Sequence, residues 1–279
     1  MERVGLIGLG NVGSRFAHTL LGAKYQVTVF DLDRSRVDAA VAEGAQPAEC
    51  SREVGEKSDI VLLSLPGSYA VEAVMEGDDG LLSAVRQGLL IVDTGTSHPD
   101  TDRRYAAACR ERGAAFIDAP ITGRGPGWIF MVGGTQGEYE KARGVLEALS
   151  YKLTRIGSVG SGQVLKLANQ MILAGQLSVW AETAEFTRQA GLDPGLLRDY
   201  LEFPIPEMIF GDDFQMGGHL ALHYKDLGYA LDVAHRAESN TPITALVREI
   251  FKAAKAGGHP SWGQPGIVTY WRRLNRPED

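Results

Sequence analysis

The sequence predicts an α/β chain: an N-terminal Rossmann-type, doubly wound sheet followed by an all-α C-terminal domain. Three observations predict it. Short runs rich in Val, Ile and Leu alternate with amphipathic stretches through the first half. A Gly-x-Gly-x-x-Gly turn follows the first of these runs. From about residue 158 onward, apolar residues recur mainly at helical spacing. Domain boundaries of 1–158 and 159–279 follow from that change of texture.

Each element has its own signal. "RVGLIG" (3–8), "QVTVF" (26–30), "DIVLLSL" (59–65), "LLIVD" (89–93) and "AAFIDAP" (114–120) read as near-continuous apolar strands. Such strands are buried on both faces of a parallel sheet. Helical stretches lie between several of them, at 12–23, 34–43, 68–76 and 100–112. "IFMVGG" (129–134) and "KLTRIG" (152–157) extend the sheet. A long helix then begins in "VGSGQVLKLANQ", with Leu165, Ala168, Ile172, Leu173, Leu177, Trp180, Ala184 and Phe186 on a broad apolar surface. At ~25 residues it would be ~38 Å long. "GLDPG" (191–195) stops it, and helices are expected at 194–202, 224–238 and 242–256. So wide an apolar surface implies a covering neighbour, so a homodimer or homotetramer is expected.

Composition narrows the partners. The net charge is −7 over 279 residues, which excludes binding driven by clustered Lys and Arg on a nucleic-acid backbone. No apolar run reaches the ~20 residues that span a bilayer. Hydrophobic content of 44% is enough to bury a sizeable core. The two cysteines, Cys50 and Cys109, suggest neither a disulfide framework nor a Cys-based zinc site. The N-terminus runs straight into a strand without a separate apolar leader, so a reducing cytoplasm is the expected setting.

"VGLIGLGNVG" holds Gly8, Gly10, Asn11, Val12 and Gly13 between a strand and a helix. Gly8 permits the tight turn, Gly10 lets a diphosphate approach the backbone, and Gly13 lets helix and strand pack closely. The helix start offers N–H groups and a positive dipole end. Asp31 closes the next strand, where a carboxylate accepts hydrogen bonds from a ribose diol and repels a 2′-phosphate. NAD is therefore favoured over NADP, although Arg34 and Arg36 stand close enough in sequence to reach a phosphate. The plainer reading is a glycine turn with a helix-capping aspartate.

Lys166 sits among apolar residues after Gly157, Gly160 and Gly162. Offsets of three and four place Asn169 and Gln170 on its helix face. An ammonium there can exchange a proton with an oxygen, and the amides can fix a hydroxyl or carboxylate. Burial in an apolar site would lower the lysine's pKa toward a useful range. The same spacing also suits a lysine that reaches solvent.

Taken together these motifs resemble the β-hydroxyacid dehydrogenase family, which includes 3-hydroxyisobutyrate and tartronate semialdehyde dehydrogenases. The resemblance covers nearly the whole chain. It implies that Leu65 and Pro66 in "LSLPGSYAVEAV" line the cofactor, and that Gly95 and Thr96 in "VDTGTSHP" face the nicotinamide. In "DAPITGR", similar to the family's "DAPVSGG", Thr122 and Gly123 would hold a substrate carboxylate. "GSVGSGQVLKLANQ" matches the approach to the family's catalytic lysine, here Lys166, with Asn169 and Gln170 beside it. "HYKDLGYALDVA" resembles the late "KDL" segment, with Lys225 at the cofactor and Asp226 nearby.

Three departures stand out. Gln170 takes the place of a frequent Asn, Arg124 replaces a Gly, and only eight residues, "GRGPGWIF", separate Thr122 from Met131. Arg124 would either meet an anionic group of the substrate or be a surface loop residue; Trp128 reads as packing. The resemblance implies an NAD-dependent oxidoreductase that moves a hydride between nicotinamide and a small β-hydroxy acid, with Lys166 as general acid and base. An imine reductase shares the architecture but usually lacks a lysine there. A non-catalytic NAD-binding sensor or scaffold is the alternative from another class. His219 and His223, with Asp212 and Asp213 nearby, lack an HExxH pattern and read as helix-start residues rather than a metal site. His98 reads as a loop or cap residue, and the tail "YWRRLN" as a solvated or subunit-contact end.

Overall fold

The computed structural model describes residues 2–123, 127–201 and 206–275. It divides into two compact units, Met1–Lys166 and Leu167–Asp279.

The first unit is built on one sheet. In chain order its elements are β1 (Arg3–Ile7), α1 (Gly13–Gly22), β2 (Gln26–Phe30), α2 (Arg34–Ala42), β3 (Gln46–Pro47), α3 (Ser51–Lys57) and β4 (Ile60–Leu63). Then come α4 (Ser68–Met75), α5 (Leu81–Ala84), β5 (Leu90–Asp93), α6 (Pro99–Arg110) and β6 (Ala115–Asp118). The last are β7 (Ile121–Thr122), β8 (Trp128–Gly133), α7 (Gln136–Leu149) and β9 (Ser150–Gly157). The strands run β3-β2-β1-β4-β5-β6-β8-β7, with β9 paired to β8. Pairing is parallel from β3 across to β6, in registers such as Leu6↔Leu62 and Val92↔Ile117. β8 is antiparallel to β6 and β7. Order therefore reverses between β1 and β4, which is where doubly wound sheets open a crevice for a ligand.

Alternation along the strands explains why both faces are covered. Val4, Leu6, Ile60, Leu62, Leu90 and Val92 pack into one core, with Phe16 and Leu20 of α1 and Val145 of α7. Ile7, Val61, Leu63, Ile91 and Phe116 point the other way, into a core with Val54, Val71 and Tyr105. A period of two feeding two cores is what a sheet covered on both sides requires.

The helices at 51–57, 81–84 and 136–149 are absent from the sequence reading. α7 begins with a capping box, in which Thr135 and Glu138 bond each other's backbone N–H groups. That signature was legible in "TQGE".

The long helix α8 spans Ser161–Gln189, 29 residues against the ~25 expected. Its first turns belong to the sheet unit and the rest to the helical unit. The latter continues with α9 (Gly195–Tyr200), α10 (Leu220–Arg236), α11 (Pro242–Ala256) and α12 (Val268–Leu274). Helix α10 starts four residues earlier than the spacing suggested, and "YWRRL" of the tail is helical. Ala174, Leu177, Ala181 and Ala184 of α8 line the core with Leu227, Ile250 and Phe251. On the opposite side Leu165, Ile172, Val179 and Phe186 remain exposed at intervals of seven. No helix of the described residues is long and apolar enough to cross a membrane.

Candidate active site

After β1 the chain turns at Gly8, whose φ of 93° suits glycine. A Cβ on Gly8 would stand 2.4 Å from the Ser64 carbonyl oxygen, and one on Gly13 would stand 1.9 Å from the Gly8 carbonyl oxygen. Packing therefore fixes the first and third glycines. Gly10 differs: a Cβ there would meet nothing closer than an Arg36 nitrogen at 3.8 Å. The space beside its backbone is open. Gly10, Asn11, Ser14 and Arg36 contribute to the walls of a cavity of about 250 Å³. Helix α1 starts after Val12 with no side-chain cap and no acidic residue in its first turn. Neither a capping side chain nor a first-turn carboxylate competes there with an anion for the helix N–H groups. These features fit the diphosphate of a dinucleotide.

Asp31 stands at the end of β2. Its Oδ2 accepts the Leu9 N–H at 2.6 Å, and its Oδ1 accepts the Asp33 N–H at 2.8 Å. It braces the glycine turn with acceptor capacity left over. The helix-capping role falls instead to Asp33, which accepts the Ser35 N–H. The two arginines able to reach a 2′-phosphate are both engaged by carboxylates, Arg36 by Asp33 at 3.2 Å and Arg34 by Glu49 at 3.3 Å.

The loops after β4 and β5 lie side by side. A Cβ on Gly95 would come within 2.5 Å of the Leu65 carbonyl oxygen. Leu65 and Thr96 are half-buried and Pro66 is exposed. Asp93, at the end of β5, shapes the second loop: its Oδ1 accepts the Gly95 N–H at 2.9 Å and its Oδ2 accepts the Ser97 hydroxyl at 2.6 Å. His98 begins α6, its ring accepting the Asp100 N–H.

Asp118, at the end of β6, does the same for α8. It accepts the Gly160 N–H at 2.6 Å and the Gln163 N–H at 2.9 Å. Gly162 carries no side chain because a Cβ would meet the Met131 carbonyl oxygen at 2.0 Å. The glycines before Lys166 thus let the helix start press against β8 while a buried carboxylate caps it. Lys166 is 9% exposed.

A third carboxylate, Asp102 of α6, is fully buried, and neither oxygen finds a hydrogen bond of ordinary geometry. Burial, reinforced by Asp93 and Asp118, pushes its pKa well above the usual carboxylate range. Burial likewise raises Asp118 to about 7 against the pull of the backbone N–H groups of Gly160, Gln163 and Asp118 itself, with Asp93 adding to the rise.

Thr122 pairs with Ile129 across β7 and β8, and Gly123 follows with φ 95°. Arg124 lies outside the described residues. Trp128 packs edge-on against Phe16, under the Arg15 guanidinium.

In the helical unit, the Asn169 side-chain amide donates to Gln170 Oε1 at 3.2 Å. The Gln170 amide donates to Asp226 at 2.7 Å and lies 3.5 Å from His223 Nδ1. The other ring nitrogen of His223 is 2.9 Å from the Gln264 amide. All four of Gln170, His223, Asp226 and Gln264 are buried. Lys225 Nζ lies 3.0 Å from Asp226 Oδ1 and 5.1 Å from the Tyr229 ring centre. His219 is the residue before α10. The described residues hold no cluster of three His, Cys, Asp or Glu suited to a metal ion.

Residues 3–157 match the family described as the NAD binding domain of 6-phosphogluconate dehydrogenase. Residues 160–271 match the family described as NAD-binding of NADP-dependent 3-hydroxyisobutyrate dehydrogenase. The chain belongs to the β-hydroxyacid dehydrogenases. Among the members of this family, the NAD-dependent L-serine dehydrogenase of Pseudomonas aeruginosa is 35% identical, over 93% of this chain and 94% of its own. The 2-(hydroxymethyl)glutarate dehydrogenase of Eubacterium barkeri is 31% identical, over 98% and 95%. A 3-hydroxyisobutyrate dehydrogenase from Mycobacterium tuberculosis, solved with L-serine, superimposes with a TM-score of 0.85 at 26% identity, covering 99% of this chain and 100% of that one. The named relatives are hydroxyacid dehydrogenases, and the glycine turn, the open Gly10 and Asp31 suit NAD.

Sequence reasoning passed over Asp93, Asp102, Asp118, Gln163 and Gln264. Two of them carried a signal: "LLIVD" and "AAFID" each end an apolar strand on a carboxylate. Gln163 and Gln264 have no local signature, since their partners are 66 and 41 residues away.

Proposed function

We propose that the chain interconverts a small β-hydroxy acid and its semialdehyde or keto form, with Lys166 as the general acid and base. One observation carries the reading. Lys166 is buried, on a helix start that Asp118 and Gln163 tie to the ends of β5 and β6, at the edge where such sheets take their cofactor.

The residues divide the work. The N–H groups at the start of α1, with Gly8, Gly10 and Gly13, would hold the diphosphate, and Asp31 the adenosine ribose. Leu65, Pro66 and Thr96 would line the nicotinamide end. When bound, NAD supplies the hydride acceptor, and NADH the donor. Thr122, through its hydroxyl, and Gly123, through its N–H, would fix the substrate carboxylate. Lys166 takes the hydroxyl proton in oxidation and returns it in reduction. General acid–base catalysis of this kind contributes roughly 10²–10⁴-fold. Asn169 and Gln170 are proposed as the amides of the lysine's helix face. Asp226 holds Gln170 in one orientation.

The names of the relatives point to substrates bearing a hydroxymethyl or similar β-hydroxyl beside a carboxylate, among them L-serine and 3-hydroxyisobutyrate. A screen of such acids with NAD, followed by Lys166→Met, tests the reading. Turnover should fall at least ~100-fold in the variant while NADH still quenches protein fluorescence. Cofactor binding without turnover of any acid by the unaltered chain would instead favour a sensor. The exposed row Leu165, Ile172, Val179 and Phe186 supports self-association into a homodimer or homotetramer; sedimentation as a single chain would overturn that.

A further inference from the structure

Gln163 is fully buried, on the turn of α8 before Lys166. Both ends of its amide are used. The Oε1 atom accepts the Ser97 N–H at 3.1 Å, and the Nε2 donates to the Gly95 carbonyl oxygen at 3.2 Å. A backbone N–H can only donate and a carbonyl can only accept, so these partners fix the orientation of the amide. Its own backbone N–H is held by Asp118. One side chain therefore spans the loop after β5 and the helix start that carries the lysine.

We propose that Gln163 is a positioning residue, locking the Gly95–Ser97 loop to the first turns of α8 so that the loop and Lys166 keep a fixed separation. The inference rests on the reading of Lys166 given above. It adds that the reaction needs this distance held and that one amide holds it. No apolar residue of similar size can replace the amide, because the buried Ser97 N–H and the half-buried Gly95 C=O would both lose their partner. Glutamate has the same length but a different valence. Ionised, it accepts from Ser97 and cannot donate to Gly95; it would also stand among Asp93 of β5, Asp118 of β6 and Asp102 of α6, with Lys166 one turn on along its own helix. Protonated, it again offers one donor and one acceptor, as the amide does.

The test uses the full chain with NADH and an acid or semialdehyde that it turns over. Gln163→Leu should lower kcat about 10- to 100-fold, the scale of a small misplacement of reacting groups, while the fluorescence-measured Kd for NADH stays within about threefold. In Gln163→Glu the kcat relative to the unaltered protein should rise as pH is lowered, because the neutral acid restores both bonds. Circular dichroism confirms that each variant is folded; if the leucine variant is not, the pH profile of the glutamate variant decides alone. An unchanged kcat in Gln163→Leu, or a flat ratio across pH in Gln163→Glu, overturns the proposal. Lys166→Met run beside them separates the two ideas. Turnover surviving there removes the lysine reading; turnover lost there but kept in the Gln163 variants removes only the positioning role.

Discussion

The two units build their polar centres from different material. In the sheet unit the cradle is mostly backbone: a turn at Gly8, an open Gly10, a helix start at Gly13, and carboxylates that hold N–H groups in place. In the helical unit it is side chains alone, with Gln170, Asp226, His223 and Gln264 joined around a buried ring. A backbone site is fixed by sterics and fails abruptly when crowded. A side-chain network is held by pairwise bonds, and its losses should be graded.

The largest effect is expected where sterics rule. Gly13→Ala places a methyl carbon 1.9 Å from the Gly8 carbonyl oxygen, so stability should fall by the upper end of about 1–3 kcal/mol or more, read as a lowered urea midpoint, with NADH binding lost. Gly10→Ala should separate packing from binding. Its methyl meets no backbone, so the midpoint should hold while NADH affinity falls at least ~10-fold, because the diphosphate must approach that atom. If both variants lose stability alike, the distinction between a packed and an open glycine is wrong.

A middle-sized effect is expected in the helical unit. His223→Ala leaves the Gln264 amide without its ring partner and weakens the surroundings of Gln170, a cost of about 1–3 kcal/mol. Hydrogen exchange should speed up in α10 and the neighbouring turns more than in the sheet. Uniform acceleration across both units would break the comparison.

The last effect depends on pH and concerns Asp102. The folded chain holds its proton more tightly than the unfolded chain, whose aspartates titrate near 3.9. The associated stability is complete below that value and is lost as pH rises through the raised folded value. Asp118, raised to about 7, adds a loss of the same sign between about 4 and 7. Asp102→Asn removes one charge that burial opposes. Its thermal midpoint should exceed that of the unaltered chain at pH 8 and converge with it near pH 4. A variant less stable at pH 8 would show that the ionised carboxylate is held by partners.

The same contrast explains what could be read beforehand. The strands, the glycine turn and Asp31 are local patterns of a few residues; the strand order and the antiparallel β8 depend on distant pairings and were not legible. Lys166 was legible as a residue set among apolar neighbours and matched to a family motif. The centres around it were not. Ser97 finds Gln163 across 66 residues, and Gln170 finds Asp226 across 56, distances over which period and propensity carry no signal. Asp31 was visible, but its service to the Leu9 N–H was hidden, because it depends on two strand ends meeting. Helix α7 is different: its start is marked locally, by the capping box of Thr135 and Glu138.

The most direct measurement is pre-steady-state hydride transfer, followed at the NADH absorbance, in the Lys166→Met chain with a β-hydroxy acid that the unaltered chain oxidises. The account predicts that NADH still binds and that the transfer rate falls at least ~100-fold. A transfer rate equal to that of the unaltered chain would contradict it.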